Sequence, residues 1–120
     1  MTKKRIAILG STGSIGTQAL EVIAANPDHF EVELLTAQNN APLLINQARH
    51  FQPNAVVIAN SSLYEQVKQA LADTHVKVFA GENALASAVQ METIDLVLTA
   101  LVGYSGLKPT IKAIEAGKNI

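Results

Sequence analysis

The sequence predicts an α/β fold: a doubly wound parallel β-sheet with helices on both faces. Three observations carry this expectation. Short runs rich in Ile, Val and Leu alternate with helical stripes of apolar residues along all 120 residues. The runs are almost wholly apolar rather than alternating, as in strands covered on both faces. The first run, from Ile6 to Leu9, breaks into glycines at 10, 13 and 16, which is how a buried strand turns sharply into a helix.

Each element follows from local pattern. Arg5–Leu9 is the first expected strand. The helix after it would place Ile15, Ala19, Val22 and Ile23 on its inward face and stop near Asn26-Pro27, because a residue before proline disfavours helical backbone. Val32–Thr36 is a second strand, and Leu44, Ile45, Ala48 and Phe51 stripe a helix that ends before Pro53. Ala55–Ala59 is a third, fully buried strand. Ser62-x-x-Glu65 reads as a capping box opening a helix with Leu63, Val67, Ala70 and Leu71 inward. Val76–Phe79 is a fourth strand, Asn83–Val89 a short helix, and Asp95–Thr99 a fifth strand. Pro109 suits the first turn of a last helix, where its missing N–H costs nothing, with Ile111 and Ile114 inward and Gly117 at the end.

Successive βα units imply right-handed crossovers and a strand order that reverses at the first strand. Ligands of such sheets bind at that reversal, at the carboxyl edge, where the glycine turn is expected to sit. The chain stops at Lys118-Asn119-Ile120, just where a sixth strand is expected. Residues 1–120 therefore read as one Rossmann-like domain, truncated, and an unpaired edge predicts self-association of the isolated chain.

Bulk properties remove several function classes. A net charge of −1 supplies no basic field for nucleic acid and no polybasic membrane patch. The absence of cysteine excludes a disulfide framework, a thiolate zinc site and a thiol nucleophile. Lys3, Lys4 and Arg5 precede an apolar run too short for a signal peptide, and the stretch Leu96–Val102 is far too short to span a bilayer. A soluble, cytoplasmic protein with neither nucleic-acid nor membrane partners is expected.

The glycine turn carries the chemistry. Its spacing, Gly10-x-x-Gly13-x-x-Gly16, lets backbone amides approach phosphate oxygens, and the helix behind it offers unpaired N–H groups and a positive dipole end. Ser11, Thr12 and Ser14 add hydroxyls able to bond phosphate, or to cap the helix. A dinucleotide is the leading ligand. NAD sites commonly place a carboxylate at the end of the second strand for the ribose 2′-hydroxyl. Here Thr36-Ala37-Gln38-Asn39-Asn40 has none, which removes repulsion of a 2′-phosphate and favours NADP; a plain polar loop is the bland alternative.

Other constellations are weaker. Tyr104 and Lys108 have dehydrogenase acid–base spacing, but Gly103, Gly106 and Pro109 around them argue for a loop. His29, His50 and His75 show no ligand spacing, so no metal site and no catalytic residue is assigned in these 120 residues. Thr99-Ala100-Leu101-Val102-Gly103 leaves the fifth strand at the carboxyl edge, where small residues leave room for a cofactor or simply end a buried strand.

At these residues the chain resembles the amino-terminal NADPH-binding domain of the 1-deoxy-D-xylulose 5-phosphate reductoisomerase family. The likeness runs through Gly10-Ser-Thr-Gly-Ser-Ile-Gly16, Asn26-Pro27 with Phe30, and Asn39. It resumes at Ala100-Leu-Val-Gly103, Gly106-Leu107, Pro109-Thr110 and Ala116-Gly117-Lys118. The resemblance implies NADPH-dependent conversion of 1-deoxy-D-xylulose 5-phosphate, a sugar phosphate, to 2-C-methyl-D-erythritol 4-phosphate on the non-mevalonate isoprenoid route. It also implies a homodimer needing a divalent cation, Mg or Mn. By the same resemblance Thr12, Gly13, Ser14 and Ile15 would hold the pyrophosphate, Ala37, Gln38 and Asn39 the adenosine end, and Ala100 and Leu101 would pass near the cofactor. Ala37-Gln38 departs from the Gly followed by Lys or Arg of many relatives, which weakens the charge argument for a 2′-phosphate. The family's metal ligands and substrate residues would lie beyond Ile120, so the fragment alone would be inactive. Two other readings stay open on sequence: a different NADP-linked dehydrogenase, such as a semialdehyde dehydrogenase relative, and a non-catalytic nucleotide-binding module.

Overall fold

The computed structural model describes residues 3–88, 90 and 94–99. Its strands are β1 (Lys4–Leu9), β2 (Phe30–Ala37), β3 (Ala55–Ile58), β4 (Lys77–Ala80) and β5 (Leu96–Thr99). Helices α1 (Ser14–Ala25), α2 (Ala41–Phe51), α3 (Tyr64–Ala70) and α4 (Glu82–Ala88) connect them in strict alternation. All pairings are parallel and the order is β4-β3-β2-β1-β5. The expected doubly wound α/β sheet is present, with the reversal at β1.

Handedness explains which face each helix takes. From β1 to β4 the chain steps in one direction, so right-handed crossovers put α1, α2 and α3 on one face. There Leu20, Ile23, Leu44, Ala48, Val67 and Leu71 bury Ile6, Ile8, Leu35, Val56 and Ile58. The step from β4 back to β5 reverses direction and puts α4 on the other face, where Ala88 packs with Leu9, Leu34, Val57 and Val97. A bulge between Ile6 and Ala7 skips Glu33 in the β1–β2 register. It lets Val32 and Leu35, an odd number of residues apart, face the same layer.

The structure corrects two local expectations. The helical stripe of α1 is Gly16, Leu20 and Ile23, whereas Ile15 and Val22 are 60% and 58% exposed. A helix that packs through a glycine turns that glycine inward, and its neighbour Ile15 outward. The expected capping box at Ser62 does not form either. Asn60 Oδ1 accepts from the Ser62 N–H at 3.1 Å and from Ser62 Oγ at 2.7 Å, so a single 3-10 turn over Ser61–Leu63 precedes α3. Asn60, two residues earlier, is the residue whose side chain caps this start. The helix expected after Pro109 lies outside the described residues. Among those described, no helix is long and apolar enough to cross a membrane.

The reversal is clipped at its amino end. Asp95, just before β5, accepts from Arg5 Nε at 3.1 Å, Arg5 Nη2 at 3.2 Å and the Arg5 N–H at 2.9 Å, while its own N–H donates to Arg5 O at 2.8 Å. Hydrogen bonds from the Arg5 side chain, then from its backbone, pull the Asp95 carboxyl down to about 2. A folded-state pKa below the unfolded one adds stability that is complete above the unfolded value of 3.8 and lost as pH falls towards 2. Asp95→Asn is therefore expected to lower the melting temperature at neutral pH and to flatten its fall between pH 4 and pH 2. Thermal melts of both chains across that range test this; parallel curves would refute it.

Candidate functional site

β1 ends at Leu9, and the next residues stay tied to β2 while the chain leaves the sheet. Gly10 has φ +83°, the left-handed region that disfavours a side chain. Its N–H donates to Thr36 O at 3.2 Å and to Thr36 Oγ1 at 3.0 Å, and the Ser11 N–H donates to Thr36 O at 2.8 Å. The Gly13 N–H closes the turn onto Gly10 O at 3.2 Å. Gly16 lies against this turn so closely that a Cβ would meet Gly10 O at 2.3 Å and Ser11 Cα at 2.6 Å.

Gly13 is the N-cap of α1, with φ −81° and ψ 176°, and it makes no side-chain cap. Its carbonyl accepts the first helical bond, from the Thr17 N–H at 2.9 Å. The N–H groups of Ser14, Ile15 and Gly16 precede that bond and so have no acceptor within the helix. The first turn also carries no acidic residue. An exposed helix end without a cap or a carboxylate is arranged to receive an anion.

Thr12 is half-buried and Gly13, Ser14 and Ile15 are exposed at this rim, whereas Gly10 and Gly16 are buried in its frame. Ser11 does not serve as the phosphate ligand suggested by its hydroxyl. It is fully buried, and Ser11 Oγ donates to Gln47 Oε1 at 2.7 Å while Gln47 Nε2 donates to Ser11 O at 2.9 Å.

At the end of β2, Ala37 is buried and Gln38 and Asn39 are exposed. The loop is tied to the end of β3: Ala59 N–H donates to Ala37 O at 2.9 Å and Asn60 N–H to Gln38 O at 3.0 Å. Asn60 Nδ2 donates to Asn39 Oδ1 at 2.9 Å, so the Asn39 side chain has its amide hydrogens left to offer. Asn40 caps α2 by accepting from the Leu43 N–H at 3.2 Å. β5 runs beside β1 to the pair Leu9 and Thr99, so both strands end at one edge. Ala100 and Leu101 lie outside the described residues, as do Tyr104 and Lys108. Among the described residues no group of His, Cys, Asp or Glu is placed to hold a metal ion.

Residues 6–120 match the family model described as 1-deoxy-D-xylulose 5-phosphate reductoisomerase. The chain belongs to this family. The reductoisomerase of Phocaeicola vulgatus is 61% identical over 118 residues, covering 98% of this chain and 31% of the relative. The chloroplastic reductoisomerase of Oryza sativa is 46% identical over 119 residues, covering 98% of this chain and 25% of the relative. Among solved structures, the reductoisomerase from Zymomonas mobilis in complex with NADPH superposes with a TM-score of 0.93 at 39% identity, over 98% of this chain and 31% of that one. A reductoisomerase in complex with NADPH, fosmidomycin and magnesium gives a TM-score of 0.91 at 32% identity, over 96% of this chain and 28% of that one. The chain thus spans about a third, 31%, of the bacterial relatives' length. Reductoisomerase membership also sets aside other NADP-linked dehydrogenase families.

Sequence reasoning missed two residues of the reductoisomerase-family turn. Ser11, Thr36 and Gln47 are the buried polar side chains among the described residues, and all three converge beneath it. The available signal was Gln47 itself, an amide set between Leu44 and Ala48 on an otherwise apolar helix face.

Proposed function

We propose that this chain is the NADPH-binding part of an enzyme that converts 1-deoxy-D-xylulose 5-phosphate to 2-C-methyl-D-erythritol 4-phosphate in non-mevalonate isoprenoid biosynthesis. The observation that carries the proposal is the uncapped, acid-free N-terminus of α1 behind an extended, exposed Gly13. No contact within the described chain forbids a side chain at Gly13, since a Cβ there would meet only Gly10 O, at 3.6 Å. Its smallness suits a ligand approaching from outside.

In this reading the backbone of Thr12, Gly13, Ser14 and Ile15 holds the pyrophosphate. Ala37, Gln38 and Asn39 flank the adenosine end, and Ala100 and Leu101 pass near the cofactor. NADPH, when bound, supplies the hydride for reduction of the rearranged sugar phosphate. The residues of this chain bind and orient it, and none is assigned a role in proton transfer. The divalent cation, Mg or Mn, is assigned to residues other than those described. The complete enzyme is proposed to be a cytoplasmic homodimer.

Calorimetric titration of the chain with NADPH and with NADH, at low and high salt, tests the reading. Saturable NADPH binding that weakens with salt is expected, with only a modest preference over NADH because Gln38 is neutral. Gln38→Arg is expected to raise the preference about tenfold, the worth of one charge-assisted hydrogen bond to the 2′-phosphate. A folded chain that binds neither nucleotide would refute the assignment, and equal binding of both would remove the preference for NADPH.

A further inference from the structure

We propose that Gln47 is a positioning residue for the phosphate-binding turn, acting from α2 through Ser11. The inference rests on the reading of that turn as the pyrophosphate site. Gln47 grips Ser11 at two points, through its hydroxyl at 2.7 Å and its carbonyl at 2.9 Å. Thr36 O takes the Ser11 N–H at 2.8 Å. Ser11 is thus fixed at its amide, carbonyl and side chain, two residues before Gly13. The Ser11 hydroxyl also lies 3.3 Å from Thr36 O, and no buried side-chain nitrogen or oxygen among the described residues lacks a partner, so the network is fully satisfied.

The two bonds also require a donor and an acceptor on one side-chain end. A hydrocarbon side chain would fill the same space but leave Ser11 O without the Gln47 donor and the Ser11 hydroxyl with only its longer bond to Thr36 O at 3.3 Å, and a carboxylate would face Ser11 O with nothing to donate. The position of Gln47 adds a second consequence. Its helix is capped by Asn40, directly after the loop of Ala37, Gln38 and Asn39, so α2 joins both ends of the proposed cofactor site. Gln47 thereby sets the turn relative to the loop that receives the adenosine.

Gln47→Glu and Gln47→Leu test this, with NADP+ as an acid-stable probe. The first variant carries its own control: the introduced carboxyl, when neutral, can donate to Ser11 O and accept from Ser11 Oγ, whereas its anion cannot donate. Burial would raise that carboxyl's pKa. Glu21 from α1 and His50 from α2 line the same cavity as Gln47; the native chain carries both, so each affinity is read as a ratio to native at the same pH. The Gln47→Glu ratio is expected to be near unity at acid pH and to worsen about tenfold as pH rises, with the amide signals of Ser11, Thr12 and Gly13 shifting over the same range without ligand. Gln47→Leu, confirmed as folded by circular dichroism, is expected to bind about tenfold more weakly at every pH. Native affinity in folded Gln47→Leu, or a Gln47→Glu ratio independent of pH, would overturn the role of Gln47 alone. A native chain that does not bind NADP+ would overturn the cofactor reading and this inference with it.

Discussion

Gly13→Asp is expected to make the chain more stable and to abolish NADPH binding. The two effects have one origin. Gly13 is an N-cap in extended conformation, with φ −81° and ψ 176°, and it makes no side-chain cap. Asp is among the best residues for that position because its carboxylate accepts from the second or third helical N–H and sits at the positive end of the dipole. Removing glycine also lowers the entropy of the unfolded chain. Together these are worth about 1 kcal/mol, or about 4 °C in melting temperature for a domain of this size. The same carboxylate would take the amides proposed for pyrophosphate and place a negative charge beside it. Repulsion of roughly 4 kcal/mol at contact distance in a partly solvated site predicts a loss of affinity of at least about a hundredfold. Thermal melts and calorimetry on one preparation read both effects. Stabilisation with undiminished NADPH affinity would show that the cofactor does not use this helix end. A fall in melting temperature would show that the glycine serves the free fold.

The elements themselves were legible because each rests on local pattern. Ala55–Ile58 is a wholly apolar run and lies within the sheet between β2 and β4. Pro53 and Asn26-Pro27 mark helix ends that the structure keeps. The position of the proposed site was legible for the same reason, since Gly10, Gly13 and Gly16 lie in one short segment of the sequence. Two kinds of feature were hidden. A glycine contributes nothing to an apolar stripe, so the sequence pattern puts Ile15 and Val22 beside Ile23 on the inward face of α1, where the structure has Gly16 and Leu20 beside Ile23. Contacts between distant residues were also hidden. The sequence leaves the Ser11 hydroxyl free for a ligand, whereas in the fold Gln47, 36 residues away, accepts from it. Likewise Asn60 reaches back 21 residues to Asn39, and neither residue's spacing reveals the other. Local chemistry marks the turn where a ligand is proposed to bind, but the supports beneath that turn depend on the tertiary fold.

Gly16→Ala is expected to be the most damaging of the single-methyl changes in the turn. Its Cβ would lie 2.3 Å from Gly10 O, 2.6 Å from Ser11 Cα and 2.8 Å from the Ser11 carbonyl carbon. All three are backbone atoms of residues whose N–H groups bond to Thr36, and Gly10 O also accepts from the Gly13 N–H, so no flexible side chain can yield. The relief available is for α1 to move off the turn, which would loosen Leu20 and Ile23 from the core they share with Ile6 and Ile8. Overpacking of this kind costs about 3 kcal/mol or more, the upper end of its usual range. The other two glycines set the scale. Gly10→Ala places a side chain at φ +83°, a strain of about 1–2 kcal/mol, whereas Gly13→Ala meets an ordinary contact at 3.6 Å. Urea denaturation should therefore rank the losses Gly16 first, Gly10 second and Gly13 last. NADPH titration should follow a different order, because Gly13→Ala, harmless to the fold, puts a methyl group where the phosphates approach. Matching orders in the two measurements would mean that all three glycines serve the turn alone. Different orders would separate the glycine that faces the ligand from the two that face the protein.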